Sequence, residues 1–150
     1  MSRPFARRAL AVLVLGAAAA VAACSPAAGA PATAPAASAP AGAVAALPAE
    51  VSTADALALR ESGAFVLDVR QPDEWNAVHI PGATLIPLGE LSSRLSEVPK
   101  DRQVLVVCRS GNRSAQGRDI LLGAGFPSVT SLAGGMNDWA AAGYPTTSGS

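Results

Sequence analysis

The segment "VVCRSGNRSAQ" (residues 106–116) sets one cysteine, Cys108, at the end of an apolar run. A turn made of Arg109, Ser110, Gly111, Asn112, Arg113 and Ser114 follows directly. A cysteine kept for packing sits within its strand, whereas one at the strand's end has a side chain able to leave the core. The reactive form is the thiolate, so a nucleophilic role needs surroundings that lower the thiol pKa below roughly 8.5. Three features of the loop act that way. A helix predicted to open near Ser114 offers unsatisfied N–H groups and a partial positive charge. Arg109 and Arg113 add full charges. Gly111 and Asn112 tolerate the dihedrals that fold a loop into an anion-binding nest. The plainer alternative, a cysteine that only ends a buried strand, leaves the composition of this loop unexplained.

The N-terminal third says where such chemistry would operate. Residues 1–24, "MSRPFARRALAVLVLGAAAAVAAC", read as an export signal. Arg3, Arg7 and Arg8 form its charged head, and Ala9–Ala23 an uncharged stretch of 15 residues. A membrane span needs roughly 20. The closing "VAAC" resembles the lipobox of bacterial lipoproteins, which implies that Cys24 becomes an acylated N-terminus. Ordinary cleavage near Ala23, or an uncleaved anchor, are the alternatives. From Ser25 to Ala49 the chain carries no charge and is mostly Ala and Pro, with prolines at 26, 31, 35, 40 and 48. Such a segment cannot bury enough surface to offset its ordering and reads as a semi-extended tether. The expected organisation is a signal at 1–23, a tether at 24–49, a folded domain at 50–146 and a short tail at 147–150.

Charge and cysteine counts narrow the function. The whole chain has 11 basic and 11 acidic residues, and loss of the three signal arginines leaves −3. A mildly acidic protein has no electrostatic footprint for nucleic acid. Of two cysteines, lipid at Cys24 would consume one, so Cys108 has no partner in an oxidising compartment. That marks a free reactive thiol or an intermolecular bridge.

From Glu50 onward the elements alternate. Ser52 is a candidate N-cap for a helix stopped by Gly63, and "AFVLDV" (64–69) suits a strand buried on both faces. Pro72, Asp73 and Glu74 open a short helix carrying Trp75, and a small strand follows around Thr84–Ile86. Leu88, Leu91, Leu95 and Val98 have helical spacing up to Pro99. "QVLVVC" is a strand, "SAQGRDILLGAGF" a helix, "SVTSL" a strand, and "GGMNDWAAAGYP" a helix with Trp139 facing the core. This alternation predicts a small parallel β-sheet of about five strands flanked by helices, an α/β fold. Cys108 then lies beyond a strand's carboxyl end, where open parallel sheets bind ligands.

Four segments together resemble the single-domain rhodaneses, a sulfurtransferase family. They are "FVLDVRQPDEW", "HIPGATLIP", the cysteine loop itself and "VTSLAGGMNDWAAAGYP", in the family's order over residues 50–146. One departure is Val78, where the family often has glycine before the histidine. The resemblance implies a rhodanese-like fold and a sulfur-accepting nucleophile at Cys108. Arg109, Ser110, Gly111, Asn112, Arg113 and Ser114 would form its substrate-binding cradle. Asp68 and Arg70 would support the loop, pairing with each other or with Arg113, or form a purely structural ion pair. His79 is expected to hold its turn by a hydrogen bond rather than act as a base. No cofactor is implied, and with one histidine and one available cysteine no metal site is expected.

The implied reaction moves sulfur from an anionic donor such as thiosulfate to cyanide or a thiol. Two rivals differ in class. Cysteine-loop phosphatases and arsenate reductases place arginine after five intervening residues, whereas here it follows four. A binding or redox-sensing module without turnover would typically lack the cysteine. The expected protein is a monomer, lipid-anchored in a bacterial cell envelope with its domain facing the periplasm or exterior. Replacing Cys24 with serine should release it from membrane fractions. Full retention of that variant with a cleaved signal would contradict lipidation.

Overall fold

The computed structural model describes residues 45–149, so the export signal, Cys24 and most of the tether lie outside the described residues. The chain runs β1 (Glu50–Val51), α1 (Thr53–Glu61), β2 (Phe65–Asp68), α2 (Pro72–Ala77) and β3 (Thr84–Leu85). It continues through α3 (Leu88–Leu91), a 3-10 turn at Leu95–Glu97, β4 (Val104–Val107), α4 (Asn112–Gly123), β5 (Val129–Leu132) and α5 (Gly135–Ala141). All strand pairs are parallel, in the order β1-β5-β4-β2-β3. The five-stranded sheet flanked by helices is thus as expected.

The unbroken apolar run of β4 follows from its central place. Val104 and Val106 point into one core layer with Leu67, Leu91 and Leu121, while Leu105 and Val107 point into another with Ala56, Met136 and Trp139. A strand covered on both faces has no polar side to show. From β2 the chain moves outward to β3, returns to central β4, then leaves toward β5 on the other side. The carboxyl ends of β2 and β4 therefore flank a topological switch point, where a crevice opens in such sheets. Asp68 lies in register with Val107 there, one residue before Cys108.

Local differences from the expected elements have local causes. The helix predicted across Leu88–Val98 stops at Leu91 and resumes as a 3-10 turn. Ser93 turns its hydroxyl onto the Glu90 carbonyl at 2.8 Å, competing with helical hydrogen bonding. The apolar spacing is still used, since Leu88, Leu91, Leu95 and Val98 all pack on the same core layer. β1 is too short for alternation to reveal. Ordered contacts also run past the expected bounds of 50–146. Ala49 accepts from the Ser131 amide at 3.0 Å, and Ser128 donates to the Ala45 carbonyl. At the other end Thr147 exchanges two 2.8 Å backbone bonds with His79.

α4 begins at Asn112 rather than near Ser114, because Gly111 at φ +100° caps it and releases the next residues into helical geometry. One turn on, Gly117 lets the helix settle onto the sheet: a Cβ there would meet Val106 Cγ1 at 3.1 Å and Val69 Cγ1 at 3.3 Å. The second close approach is at Gly135, in the first turn of α5 with φ +60°. Its backbone lies against the Cys108–Arg109 peptide, and a Cβ would stand 2.4 Å from the Cys108 carbonyl oxygen. The amides of Met136 and Asn137 donate to the carbonyls of Cys108 (2.8 Å) and Arg109 (3.1 Å), tying α5 to the loop. No flexible side chain can give way at that junction. Gly135→Ala should therefore destabilise the fold by at least about 2 kcal/mol, seen as a lower midpoint of urea unfolding. An unchanged midpoint would mean that the two backbones do not meet this closely.

Candidate active site

Cys108 follows the last residue of β4 and packs beneath the turn into α4, only 1% exposed. Its Sγ accepts a hydrogen bond from the Gly111 amide at 3.1 Å and lies 3.5 Å from Ser114 Oγ. Two opposing effects set its acidity. Burial pushes the thiol up; the Ser114 hydroxyl and the amides of Ser114, Ser110 and Gly111 pull it down, and the net is a pKa below the ordinary value. A carbon-lined pocket alone would have made this sulfur inert. Directed N–H groups convert burial into protection of an anion.

The loop residues divide into those that face the sulfur and those that do not. Ser110, Gly111 and Ser114 supply the amides, and Ser114 is fully buried in the first turn of α4. Asn112 is exposed at the helix start, where its backbone carbonyl accepts from Gln116 Nε2 at 3.4 Å. Arg113 was expected to charge the cradle directly. Instead its guanidinium is held by Glu74 of α2 in a two-pronged pair, Nη1–Oε2 at 2.7 Å and Nη2–Oε1 at 2.8 Å. That arginine's charge is largely matched before it reaches the sulfur.

Glu74 is the residue that sequence reasoning passed over. In the sequence it is one of two carboxylates in a helix's first turn, a role it also fills by accepting from the Gln71 amide at 3.2 Å. Nothing local marks it as the partner of a residue 39 positions away. The hydrogen bond from Arg113 outweighs burial and lowers its pKa to about 2. Because the folded value is depressed, the pair's contribution is full above the carboxyl's ordinary pKa and is lost as pH falls through about 2. The strut is therefore intact across the physiological range.

Asp68 and Arg70 pair with each other and not with Arg113. Both are buried, with Nε–Oδ1 at 2.9 Å and Nη2–Oδ2 at 2.6 Å. Arg70 also donates to the Val78 carbonyl at 2.7 Å, so one side chain ties the end of β2 to the turn after α2. Val78 takes that role through its backbone, in extended conformation, which glycine is not needed to adopt. Loss of either charge would strand the other in the core, at a cost of about 3–5 kcal/mol. His79 lies next in the turn, its ring stacked on Trp75 at 3.7 Å and its Nδ1 3.0 Å from the Trp75 carbonyl. This is the turn-holding contact expected of it.

Arg109 differs from the other two arginines. Its side chain is exposed, and it has no carboxylate partner among the described residues. It borders a cleft of about 460 Å³ with Glu74, Asn137 and Met136, beside the cysteine loop. A larger hollow of about 640 Å³ lies between β1 and α1, lined by Val51, Ala58 and Leu59, and none of the predicted site residues line it. The chemistry and this larger hollow are in different places. Another unpredicted participant is Ser131, on the buried face of β5, whose hydroxyl donates to Ser114 Oγ at 2.8 Å. Within "SVTSL" it looks like any strand serine.

The sequence profile of the rhodanese-like domain family matches residues 52–142. Thiosulfate sulfurtransferase GlpE of Pseudomonas entomophila is 39% identical over 89 residues, which cover 59% of this chain and 82% of that protein. YrkF of Bacillus subtilis, whose name marks it a sulfur carrier, is 38% identical over 74 residues, 49% of this chain but only 40% of its own length. Among solved structures, a rhodanese-related protein from Thermoplasma volcanium aligns with a TM-score of 0.61 at 32% identity, over 65% of this chain and 96% of that one. The matched span includes the β4–α4 loop, the Asp68–Arg70 turn and the Gly134–Gly135 junction, and on that evidence the chain belongs to the rhodanese-like domain family.

Proposed function

We propose that this protein is a sulfurtransferase that carries one sulfur atom on Cys108. The observation that carries the reading is a thiol that is buried yet held below its ordinary pKa by amides and a hydroxyl aimed at its sulfur. In this reading the Cys108 thiolate attacks the outer sulfur of thiosulfate. The S–S bond of the donor breaks, sulfite leaves with the bonding pair, and Cys108 becomes a persulfide anion. Cyanide or a thiolate then attacks the terminal sulfur, and the Cys108 thiolate returns as leaving group. No proton need be delivered in the thiosulfate-to-cyanide cycle, so a base such as His79 has no task.

The amides of Ser110, Gly111 and Ser114 stabilise negative charge on sulfur in each of these states without reorganising, which is the economy of a preorganised site. Arg109, exposed and unmatched, would draw an anionic donor to the loop. Arg113 and Glu74 would brace α4 against α2, and Asp68 and Arg70 would brace the neighbouring turn. A phosphatase reading is disfavoured because the loop arginine that would clamp a tetrahedral oxyanion is bound to Glu74. The Cys24 anchor belongs to the same proposal, supported by the charged head, apolar stretch and "VAAC" of residues 1–24.

Treating the protein with thiosulfate should add the mass of one sulfur atom, cyanide should remove it, and Cys108→Ser should never acquire it. Wild-type protein that stays unmodified by thiosulfate and other sulfane donors would overturn the reading in favour of a module that only binds a partner.

A further inference from the structure

The Ser114 hydroxyl has one proton and three polar neighbours. Ser131 Oγ lies 2.8 Å away and donates to it, the Gly111 carbonyl is an acceptor at 2.8 Å, and Cys108 Sγ stands at 3.5 Å. Ser114 and Ser131 are both fully buried, so water cannot supply a missing partner. While Cys108 is a thiol, its S–H points to Ser114 Oγ and Ser114 donates to Gly111. Once Cys108 ionises, its sulfur becomes an acceptor only, and the one side-chain proton within reach is that of Ser114. The hydroxyl must then rotate from the Gly111 carbonyl to the sulfur.

How strongly that proton is offered depends on Ser131. The Ser131 hydroxyl has no other acceptor among the described residues, and a buried O–H left unpaired costs about 1–3 kcal/mol. It therefore donates into Ser114 and cannot also take the Ser114 proton without that loss. We propose that Ser131 is a positioning residue for Cys108, one that by donating into Ser114 Oγ polarises that hydroxyl and strengthens it as a donor to the sulfur. Its place on the fold suits this. Ser131 is in register with Val106 on β4, two residues before Cys108, and its backbone is held on the other side by the Ala49 carbonyl at 3.0 Å. The sheet, and not the loop, thus sets the direction of the hydroxyl chain.

The same chain would serve the persulfide anion, and that half rests on the sulfurtransferase reading; the thiolate half does not. Charged groups lie on several of the elements that meet the cysteine loop, and β5 itself carries none. They are Asp68 and Arg70 at the end of β2, Glu74 on α2, Arg109 in the loop, Arg113 on α4 and Asp138 on α5. Asp68 with Arg70 and Glu74 with Arg113 are paired, and Arg109 and Asp138 are exposed. None of them contacts Ser131 through a hydrogen bond, so its replacement leaves them in place.

The test compares Ser131→Thr with Ser131→Val, two side chains of the same shape of which only the first has a hydroxyl. The readout is the pH midpoint of Cys108 alkylation. A weaker donor to the thiolate leaves its pKa higher, so the valine variant should show a midpoint higher by about 0.3–0.5 unit, a two- to threefold change in ionisation constant. The threonine variant should keep the wild-type value. In a Ser114→Ala background, Ser131→Val should produce no further shift. Equal midpoints for threonine and valine, or an undiminished shift without Ser114, would overturn the proposal. Alkylation needs no sulfur donor, so failure of sulfur uptake would defeat the functional reading while leaving this result to be judged by itself.

Discussion

A sulfur atom has to be buried and still be able to carry a negative charge: the rest of this structure answers to that constraint. Burial alone would raise the thiol's pKa, and here it is the largest single influence on Cys108. The compensation consists of short-range donors, whose worth depends on placement within a few tenths of an ångström. Three backbone approaches secure it. Gly111 turns the chain at φ +100° so that its amide meets the sulfur, Gly117 seats α4 on Val106 and Val69, and Gly135 brings α5 against the loop carbonyls. At Gly117 and Gly135 a side chain would press on its neighbours, and at Gly111 the positive φ would strain it.

The charged residues near the loop do different work from the one their proximity suggests. Of the arginines around the site, Arg70 is spent on Asp68 and the Val78 carbonyl, and Arg113 on Glu74. These pairs hold α2 and the ends of β2 and α4 in fixed relation, in surroundings where a lone charge would be costly. They are struts. Among these arginines, Arg109 alone is left with an unmatched charge facing solvent, at the cleft beside the loop. The groups aimed at the sulfur and the one unmatched charge at the cleft are thus separate residues.

Much of this was legible in the sequence, and the boundary is a physical one. The apolar runs of β2 and β4, the Ser52 cap and the cysteine loop are encoded in consecutive residues, so local reading finds them. Leu88, Leu91, Leu95 and Val98 revealed which face is buried but not that the helix breaks, since a turn and a 3-10 segment can present the same face. Glu74 and Ser131 were not legible as parts of the site. Their contacts to Arg113 and Ser114 span 39 and 17 residues, and neither has a local signature distinguishing it from a helix-start carboxylate or a strand serine. Arg113 is legible in the same partial way: its charge is visible in the sequence and its Glu74 partner is not.

The central claim is that directed hydrogen bonds, not guanidinium charge, keep the Cys108 thiol acidic. Salt separates the two, because the Debye length falls from about 10 Å at 0.1 M to about 3 Å at 1 M while a buried hydrogen bond is unaffected. The decisive measurement is the pH midpoint of Cys108 alkylation at low and at high sodium chloride. The account predicts a midpoint below roughly 8.5 that holds nearly constant between the two. A midpoint at or above that value, or one that climbs toward it as salt is added, would contradict it.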